Sequence, residues 1–499
     1  MGPACRHNGS VSRSKTGSSD RAKPGADFLQ LNFADAPPGG LSDWLTGRLR
    51  QAIADGLLPV GSRLPASRVL AAELRVSRGV VTEAYQRLIE TGQAAGRGRA
   101  GTIVVAAPVL APASTRKPLP RKVFSGPPSL DTLDELRATP ARIDLSPGVP
   151  DLAAFPRAAW LRAERTVLDA LSPADFGYGD PRGAPVFRRA VANWLARNRG
   201  IAVDPDDVVI VAGVAQGLVL LAQVLRADGI GVVAVEDPGS FGARQHLRQH
   251  HLETTPVPVD SGGLRVGELR ASGAPAVLLT PAHQFPTGVV LDGARRRELM
   301  AWAEEGGLVI EDDYDAEHRY DRPPVPALRS LLPEQVCYTG SVSKLLAPAL
   351  RVGWIVVPRR YRAAVVNAKR DADLGNAVLP QLVLAELMDS GELERQLRLL
   401  RRRHRRRRDA MIDAIRTRLP GAQVHGAAAG LHLTITFDHV FADTELAAAV
   451  LARGVKVQPL SWHRQRSGQP GLVLGYAASS AGEIAEAMAV IGDVVAGLT

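Results

Sequence analysis

Y-T-G-S-V-S-K-L-L-A-P-A-L-R-V-G (338–353) is the stretch on which the reading of this chain turns. It opens in a short run, C-Y-T, that predicts a strand end. Lys344 follows the hydroxyls of Ser341 and Ser343 and precedes Arg351. Upstream, V-I-E-D-D-Y-D (309–315) ends a second apolar run in carboxylates and a tyrosine. A lysine amine can form a Schiff base with an aldehyde. A carboxylate can hold a pyridine nitrogen protonated, which makes the ring an electron sink. Serine hydroxyls and a guanidinium fork suit a phosphate. These groups together are what a pyridoxal phosphate site requires. Lys344 is the attachment point, Asp312 or Asp313 can face the ring nitrogen, and Tyr314 can reach the ring hydroxyl.

Working outward, V-V-I-V (208–211), G-V-V-A-V-E (231–236), A-V-L-L-T (276–280), L-V-I-E-D (308–312) and G-W-I-V-V (353–357) predict strands. Helical patterns separate most of them, which predicts a mostly parallel α/β sheet. The candidate ligand groups fall at the C-terminal ends of these strands, where open parallel sheets bind ligands. V-A-G-V-A-Q-G-L-V-L (211–220) reads as strand, glycine turn and helix. Its first helical amides, at Val214, Ala215 and Gln216, are free for a phosphate. Alone, such a turn is equally a packing device; in chain order with the lysine and the carboxylates it forms a site. Past about 390 come a helix, L-H-L-T-I-T-F (431–437), G-V-K-V-Q-P (454–459) and G-L-V-L-G-Y (471–476), a smaller α+β domain.

The front of the chain is of another kind. Residues 41–56 are amphipathic, with Leu41, Trp44, Leu45, Leu49 and Ile53 on one face and Gly56 at the end. Two further helices follow in 61–92. Ser67 reads as the N-cap of the first, Arg75-Val76 as a tight turn, and Ser77 as the cap of the next. That third helix carries Arg78, Gly79, Thr82 and Glu83 early, with Tyr85, Leu88 and Ile89 as its inner stripe. This is a helix-turn-helix. Arg68, Ser77, Arg78 and Thr82 are positioned for phosphates and base edges. A-A-G-R-G-R-A-G-T-I-V-V (94–105) predicts a two-stranded wing with Arg97 and Arg99 at its tip. A small helical bundle with a solvated basic face is the alternative; the agreement of periods, caps and wing weighs against it.

The chain has 499 residues, enough for two to four domains. The formal charge is +10, and residues 41–105 hold nine Arg against five Asp or Glu. Such a balance favours anionic partners without specifying them. Cys5 and Cys337 make neither a disulfide framework nor a metal cluster, so no metal is expected. The N-terminus lacks the apolar stretch of a signal peptide, and no run suits a membrane span. A cytoplasmic, DNA-associated protein without a membrane partner is the expectation. The expected boundaries are a disordered basic tail over 1–27, a winged helix-turn-helix over 28–105 and a Pro-rich linker over 106–140. A large cofactor-binding domain over 141–390 and a small domain over 391–499 follow. L-R-L-L-R-R-R-H-R-R-R-R-D-A-M (397–411) reads first as a solvated helix face or an acidic-partner surface, with DNA contact as the alternative.

Residues 63–85, R-L-P-A-S-R-V-L-A-A-E-L-R-V-S-R-G-V-V-T-E-A-Y, resemble the winged helix-turn-helix of the GntR family of transcriptional regulators. From about 142 onward the chain resembles the fold-type I aminotransferases. It is most similar to the MocR/GabR branch, in which the two are fused. The strings that carry this are F-G-Y-G-D-P-R-G (176–183), E-D-P-G-S-F-G (236–242), T-P-A-H-Q-F-P-T-G (280–288), E-D-D-Y-D-A-E-H-R-Y (311–320) and 338–353. The resemblance implies that Lys344 carries the cofactor, Asp312 pairs with the ring nitrogen, Tyr314 with the ring oxygen and Arg351 with the phosphate. It implies a head-to-tail homodimer in which Tyr178 of the facing subunit approaches that phosphate. It also implies a double-stranded DNA operator of two half-sites and a small-molecule effector, pyridoxal phosphate itself or an amine or amino acid.

Three departures bear on function. Phe285 stands where ordinary aminotransferases have Asn, leaving His283 or Gln284 to supply polarity. Ser240 stands where the branch often has a stacking Tyr, with Phe241 beside it. Gly471 and Leu472 occupy the place of the arginine that forks a substrate carboxylate. That loss argues against efficient amino-acid turnover and leaves room for cofactor sensing, the role of the pyridoxine-regulating members. The sequence therefore reads as a regulator first. An aminotransferase with a DNA-targeting appendage is the alternative.

Overall fold

The computed structural model describes residues 40–98, 101–106, 123–320, 325–426, 429–438 and 441–498. The predicted tail 1–27, residues 107–122 of the predicted linker and Arg99 lie outside the described residues. The chain divides into two compact units, 1–117 and 118–499.

In the first unit, helices α1 (Leu41–Ala54), α2 (Ser67–Glu73) and α3 (Arg78–Glu90) precede an antiparallel hairpin of β1 (Ala94–Gly96) and β2 (Thr102–Val104). Leu45, Leu49, Leu70, Val81 and Leu88 close its core. The Tyr85 hydroxyl donates to the Pro65 carbonyl at 2.8 Å and pins α3 to the start of α2. Arg75 takes a left-handed φ of 53° in the turn between them. Ser77 accepts from the Val80 amide and caps α3. Ser67 does not cap α2. Ala66 holds the cap position, and Ser67, already helical, accepts instead from Arg78 Nε at 3.3 Å.

The second unit is built on an eight-stranded sheet. Its strands are β4 (Val208–Val211), β5 (Val232–Asp237), β6 (Glu253–Asp260), β7 (Gly263–Leu264), β8 (Ala276–Leu279), β9 (Leu308–Asp312), β10 (Val336–Ser341) and β11 (Gly353–Val356), in the order β4-β11-β10-β9-β8-β5-β6-β7. Pairing is parallel from β10 through β9, β8 and β5 to β6; β11 runs antiparallel to β4 and β10. The start of β11 therefore lies at the same edge as the ends of its neighbours, and Arg351 arrives beside Lys344. β6 is not among the predicted strands; it carries Pro256 and Pro258, residues uncommon inside a sheet. Both carbonyls accept from outside the strand pairing, from Arg466 and from the Arg265 amide, so these residues face away from β5 and remove no ladder bond.

A second, four-stranded antiparallel sheet joins β12 (Ala422–His425), β13 (His432–Phe437), β15 (Gln458–Pro459) and β16 (Gly471–Gly475). A helix over Glu392–Arg418 leads into it. Here the expected boundaries need correction. A short strand β3 (Ile143–Asp144) pairs with β14 (Val455–Lys456), and residues 130–138 form a capped helix, α4 (Leu130–Ala138). Val123, Phe124, Leu133, Leu136, Ile143 and Leu145 belong to the core of this second sheet. The segment 123–145 is thus neither linker nor large domain. Its prolines and charges masked an amphipathic helix, and its small-domain partners lie some 300 residues further along the chain. Phe124 stacks on Trp462 at 5.4 Å. Phe124→Ala should therefore lower unfolding free energy by about 3–5 kcal/mol, as for a buried aromatic, read by urea denaturation. A change below about 0.5 kcal/mol, typical of surface sites, would restore the linker reading.

The arginine run lies within the Glu392–Arg418 helix, and part of it is used internally while Arg398, Arg402, Arg405 and Arg406 are exposed. Arg403 and Arg407 both pair with buried Asp151, Arg401 donates to the Glu317 carbonyl, and Arg408 lies over the Tyr320 ring. These contacts give Arg401, Arg403, Arg407 and Arg408 a structural role.

Candidate functional site

A cavity of about 290 Å³ opens where the strand ends of the large sheet meet the smaller sheet's segments. Its walls bring together Lys344, Asp312, Tyr314, Arg351, Ser341, Ser343, Val214 and Ala215. Lys344 Nζ donates to the Gly148 carbonyl at 2.6 Å. Gly148 has a φ of 76°, and a Cβ there would lie 2.9 Å from Nζ. Burial lowers the Lys344 amine to about 8, against the opposing pull of Asp315 and Asp312. A buried, easily deprotonated amine is what covalent attachment of an aldehyde needs.

Strand alternation turns the neighbouring aspartates to opposite sides. Asp312 faces the cavity, with Thr339 Oγ1 at 3.4 Å, and burial and Asp313 push it up to about 7. Asp313 points the other way, into a buried pair with Arg199 and a 2.6 Å bond from the Tyr338 hydroxyl. Arg351 sits in the left-handed region at φ 52° and donates to the Ala212 carbonyl at the glycine turn. Gly213 makes that turn at a φ of 82°, which favours glycine. Amides at a helix start, two hydroxyls and a guanidinium make a donor set suited to a phosphate.

Two sequence candidates lie apart. Gln216 does not line the cavity; it accepts from the Ala212 amide and donates to Asp373, bracing the turn. Tyr178 is 97% exposed and does not line the cavity of its own chain. Phe241 is buried in the core, while Ser240, Phe285 and His246 reach the cavity. No aromatic ring takes the stacking place at 240–241.

Several contributors had no sequence signal. Leu133 and Arg137 of α4, and Gln458 and His463 of the smaller sheet, enter the walls from sequence positions far from the motif strings. His283 reaches the site from behind. Its Nδ1 lies 3.0 Å from the Tyr314 hydroxyl and 2.9 Å from Asp315. Burial and Asp315 hold the Tyr314 phenol well above its usual value. Gln284, the other polar candidate, spends its amide on loop carbonyls. His283, Asp315 and His432 bring ligand-type atoms within 4.8 Å of one another. His432 Nε2 is also 3.1 Å from the Pro286 carbonyl, while the buried His283 Nε2 and His432 Nδ1 have no hydrogen-bond partner among the described residues. Asp315→Ala should cost about 1–3 kcal/mol of stability by stranding His283 and Tyr314, checked by urea unfolding; an unchanged midpoint would show that the cluster does not couple.

In the first unit Arg68, Ser77, Arg78, Thr82 and Arg97 are all exposed. Ser77, Arg78 and Thr82 cluster at the start of α3, Arg68 follows the start of α2, and Arg97 lies just past β1.

A winged helix-turn-helix joined to a fold-type I aminotransferase domain defines a class of DNA-binding regulator. Residues 41–104 match the gntR family of bacterial regulatory proteins, and 141–491 match aminotransferase class I and II. The chain is 32% identical over 462 residues to the HTH-type pyridoxine biosynthesis transcriptional regulator PdxR of Corynebacterium glutamicum, covering 92% of this chain and 96% of that protein. It is 30% identical over 441 residues to the probable rhizopine catabolism regulatory protein MocR of Rhizobium meliloti, covering 86% and 88%. The structure of the alpha-aminoadipate aminotransferase LysN of Thermus thermophilus, complexed with N-(5'-phosphopyridoxyl)-L-leucine, superposes with a TM-score of 0.67 at 26% identity, covering 73% and 94%. The chain belongs to the MocR-type regulators of the GntR family, which carry an aminotransferase-like domain behind the DNA-binding domain. No described helix is long and apolar enough to cross a membrane.

Proposed function

We propose that the second unit holds pyridoxal 5'-phosphate on Lys344 and that its occupancy alters operator binding by the first. The observation that carries this is the buried Lys344 amine, lowered to about 8, in one cavity with Asp312, Tyr314 and Arg351. When bound, the cofactor supplies an aldehyde for the lysine and an electron-withdrawing ring. Asp312 would hold the ring nitrogen, Tyr314 the ring oxygen, and Arg351, Ser341, Ser343 and the amides of Val214 and Ala215 the phosphate. Gln216 would keep that turn in shape. Tyr178, exposed here, would serve the cavity of a partner subunit in a head-to-tail homodimer. The dimer would read two half-sites of double-stranded DNA through Arg68, Ser77, Arg78 and Thr82, with Arg97 and Arg99 on the backbone.

Such a protein works on DNA in the cytoplasm. By similarity to the pyridoxine biosynthesis regulator, its targets would be genes of vitamin B6 or amino-acid metabolism, and its effector pyridoxal phosphate or an amine or amino acid. Transamination should be slow or absent, because Gly471 stands in the arginine's place and a Cβ there would overlap the Ile435 carbonyl. Spectral titration of the full chain with pyridoxal phosphate, followed by footprinting on its own upstream DNA, tests the reading. A near-visible band and protection of two half-sites are expected. Rapid multiple-turnover exchange between an amino acid and a keto acid would promote the enzyme reading instead.

A further inference from the structure

The cavity holds one guanidinium that the cofactor reading leaves unassigned. Arg137 ends α4 and lines the same walls as Lys344. Three cationic side chains face this space: Lys344, Arg351 and Arg137. Arg351, which rests on the Ala212 carbonyl, is assigned to the phosphate. The two cavity histidines, His246 and His463, are both held below their usual range, chiefly by burial, and are neutral near pH 7. Arg464 and Arg466, the nearest arginines to Gly471 in sequence, donate to the carbonyls of Gln469 and Pro256 and do not line the cavity.

Arg137 is available and yet well placed. Its side chain is 66% exposed, and NH1 donates to Asp134 at 2.6 Å. An exposed pair of this kind is screened by water and readily exchanged. The helix beneath it is fixed. Leu133 and Leu136 are buried in the smaller sheet's core, and Lys456 Nζ donates to the Arg137 carbonyl at 3.3 Å. The backbone is therefore anchored while the guanidinium is free to turn, as a bidentate carboxylate contact requires.

We infer that Arg137 receives the carboxylate of a small amino acid whose amine lies at Lys344, so that the ligand grips α4, a helix early in the second unit along the chain. This rests on the reading that pyridoxal phosphate occupies Lys344. It assigns the effector to the amino carboxylates, and it replaces the arginine missing at 471 by one from the opposite end of the domain's sequence. α4 begins seven residues after the start of the segment 123–129, which continues the stretch joining the two units. A ligand held between Lys344 and Arg137 therefore acts on a helix that lies close to that junction along the chain.

The test uses the full chain loaded with pyridoxal phosphate, as wild type, Arg137→Gln and Arg137→Lys. The probes are glycine, β-alanine and 4-aminobutyrate, each beside the amine that lacks its carboxylate. Ligand affinity is read from the shift of the near-visible band, and operator affinity is measured in parallel. For at least one amino acid, Arg137→Gln should weaken binding about tenfold or more, the loss of a charge-assisted contact. Affinity for its amine counterpart should change much less. Arg137→Lys should recover part of the affinity, and the effect of the amino acid on operator binding should vanish in Arg137→Gln. Equal weakening of amine and amino acid, no change in either, or no amino-acid response in the wild type overturns the inference while leaving the cofactor reading intact. A wild-type protein that takes up no pyridoxal phosphate overturns the underlying reading, and the inference with it.

Discussion

Lys344→Ala should abolish covalent attachment of pyridoxal phosphate completely. In the wild type, borohydride should fix a pyridoxyl group on Lys344, located by peptide mapping; in the variant no lysine should carry it. The expectation follows from the placement of a buried amine beside Gly148, in one cavity with Asp312 and Tyr314. The rate of attachment should rise as pH increases through about 8, where burial places the Lys344 amine. An ordinary lysine, with a reference value near 10.4, would show that rise some two units higher. Losing a cation that burial already disfavours should not unfold the domain, so circular dichroism of the variant should match wild type. A pyridoxyl group on another lysine would remove Lys344 from its role.

Arg78→Ala should weaken binding to the specific operator by about 1–3 kcal/mol, or roughly 5- to 150-fold, if Arg78 forks a base edge. Binding to unrelated duplex should change much less. Without DNA, Arg78 Nε rests on the Ser67 hydroxyl at 3.3 Å. That exposed contact aligns the side chain across the turn between α2 and α3 and is easily surrendered to a base. Arg97→Ala, just past β1 in the wing, should instead weaken all duplexes evenly. It should also reduce the slope of log affinity against log salt by about 1, as for a lost phosphate contact. A fluorescence anisotropy titration over a salt series separates the two. If Arg78→Ala lowers specific and unrelated binding alike, α3 does not read sequence in the way assigned to it.

The large sheet was legible because its buried strands are continuous β-branched runs, and their ends carry the chemistry within the same strings. β4 and β9 fall on the stretches read from sequence. Asp312, Tyr314, Lys344 and Arg351 converge because parallel β9 and β10, with antiparallel β11, present one edge. The readable part ends where partners are distant. Nothing in 123–145 announces that Phe124 will meet Trp462 or that Ile143 will pair with Val455. The helix signal of Leu130–Ala138 is short and its Ser129 capping box uses Thr132, so repeated prolines nearby outweighed it. Ser67 was misread as a cap because Ser before an apolar run is the usual signal; here the helix starts at that serine, which is then free to meet Arg78. His283 stood in a motif string, but its link to Tyr314 through the folded loop is a tertiary fact.

The central claim is that one chain couples the Lys344 cavity to DNA binding. Linkage makes this measurable from both sides, because any factor by which pyridoxal phosphate changes operator affinity must equal the factor by which operator changes pyridoxal phosphate affinity. The direct measurement is a titration of the full chain with pyridoxal phosphate, with and without saturating operator, beside an operator titration with and without the cofactor. The account predicts two equal factors different from one, typically 5- to 150-fold for a coupling of about 1–3 kcal/mol, and both lost in Lys344→Ala. Identical pyridoxal phosphate affinities with and without operator would contradict it.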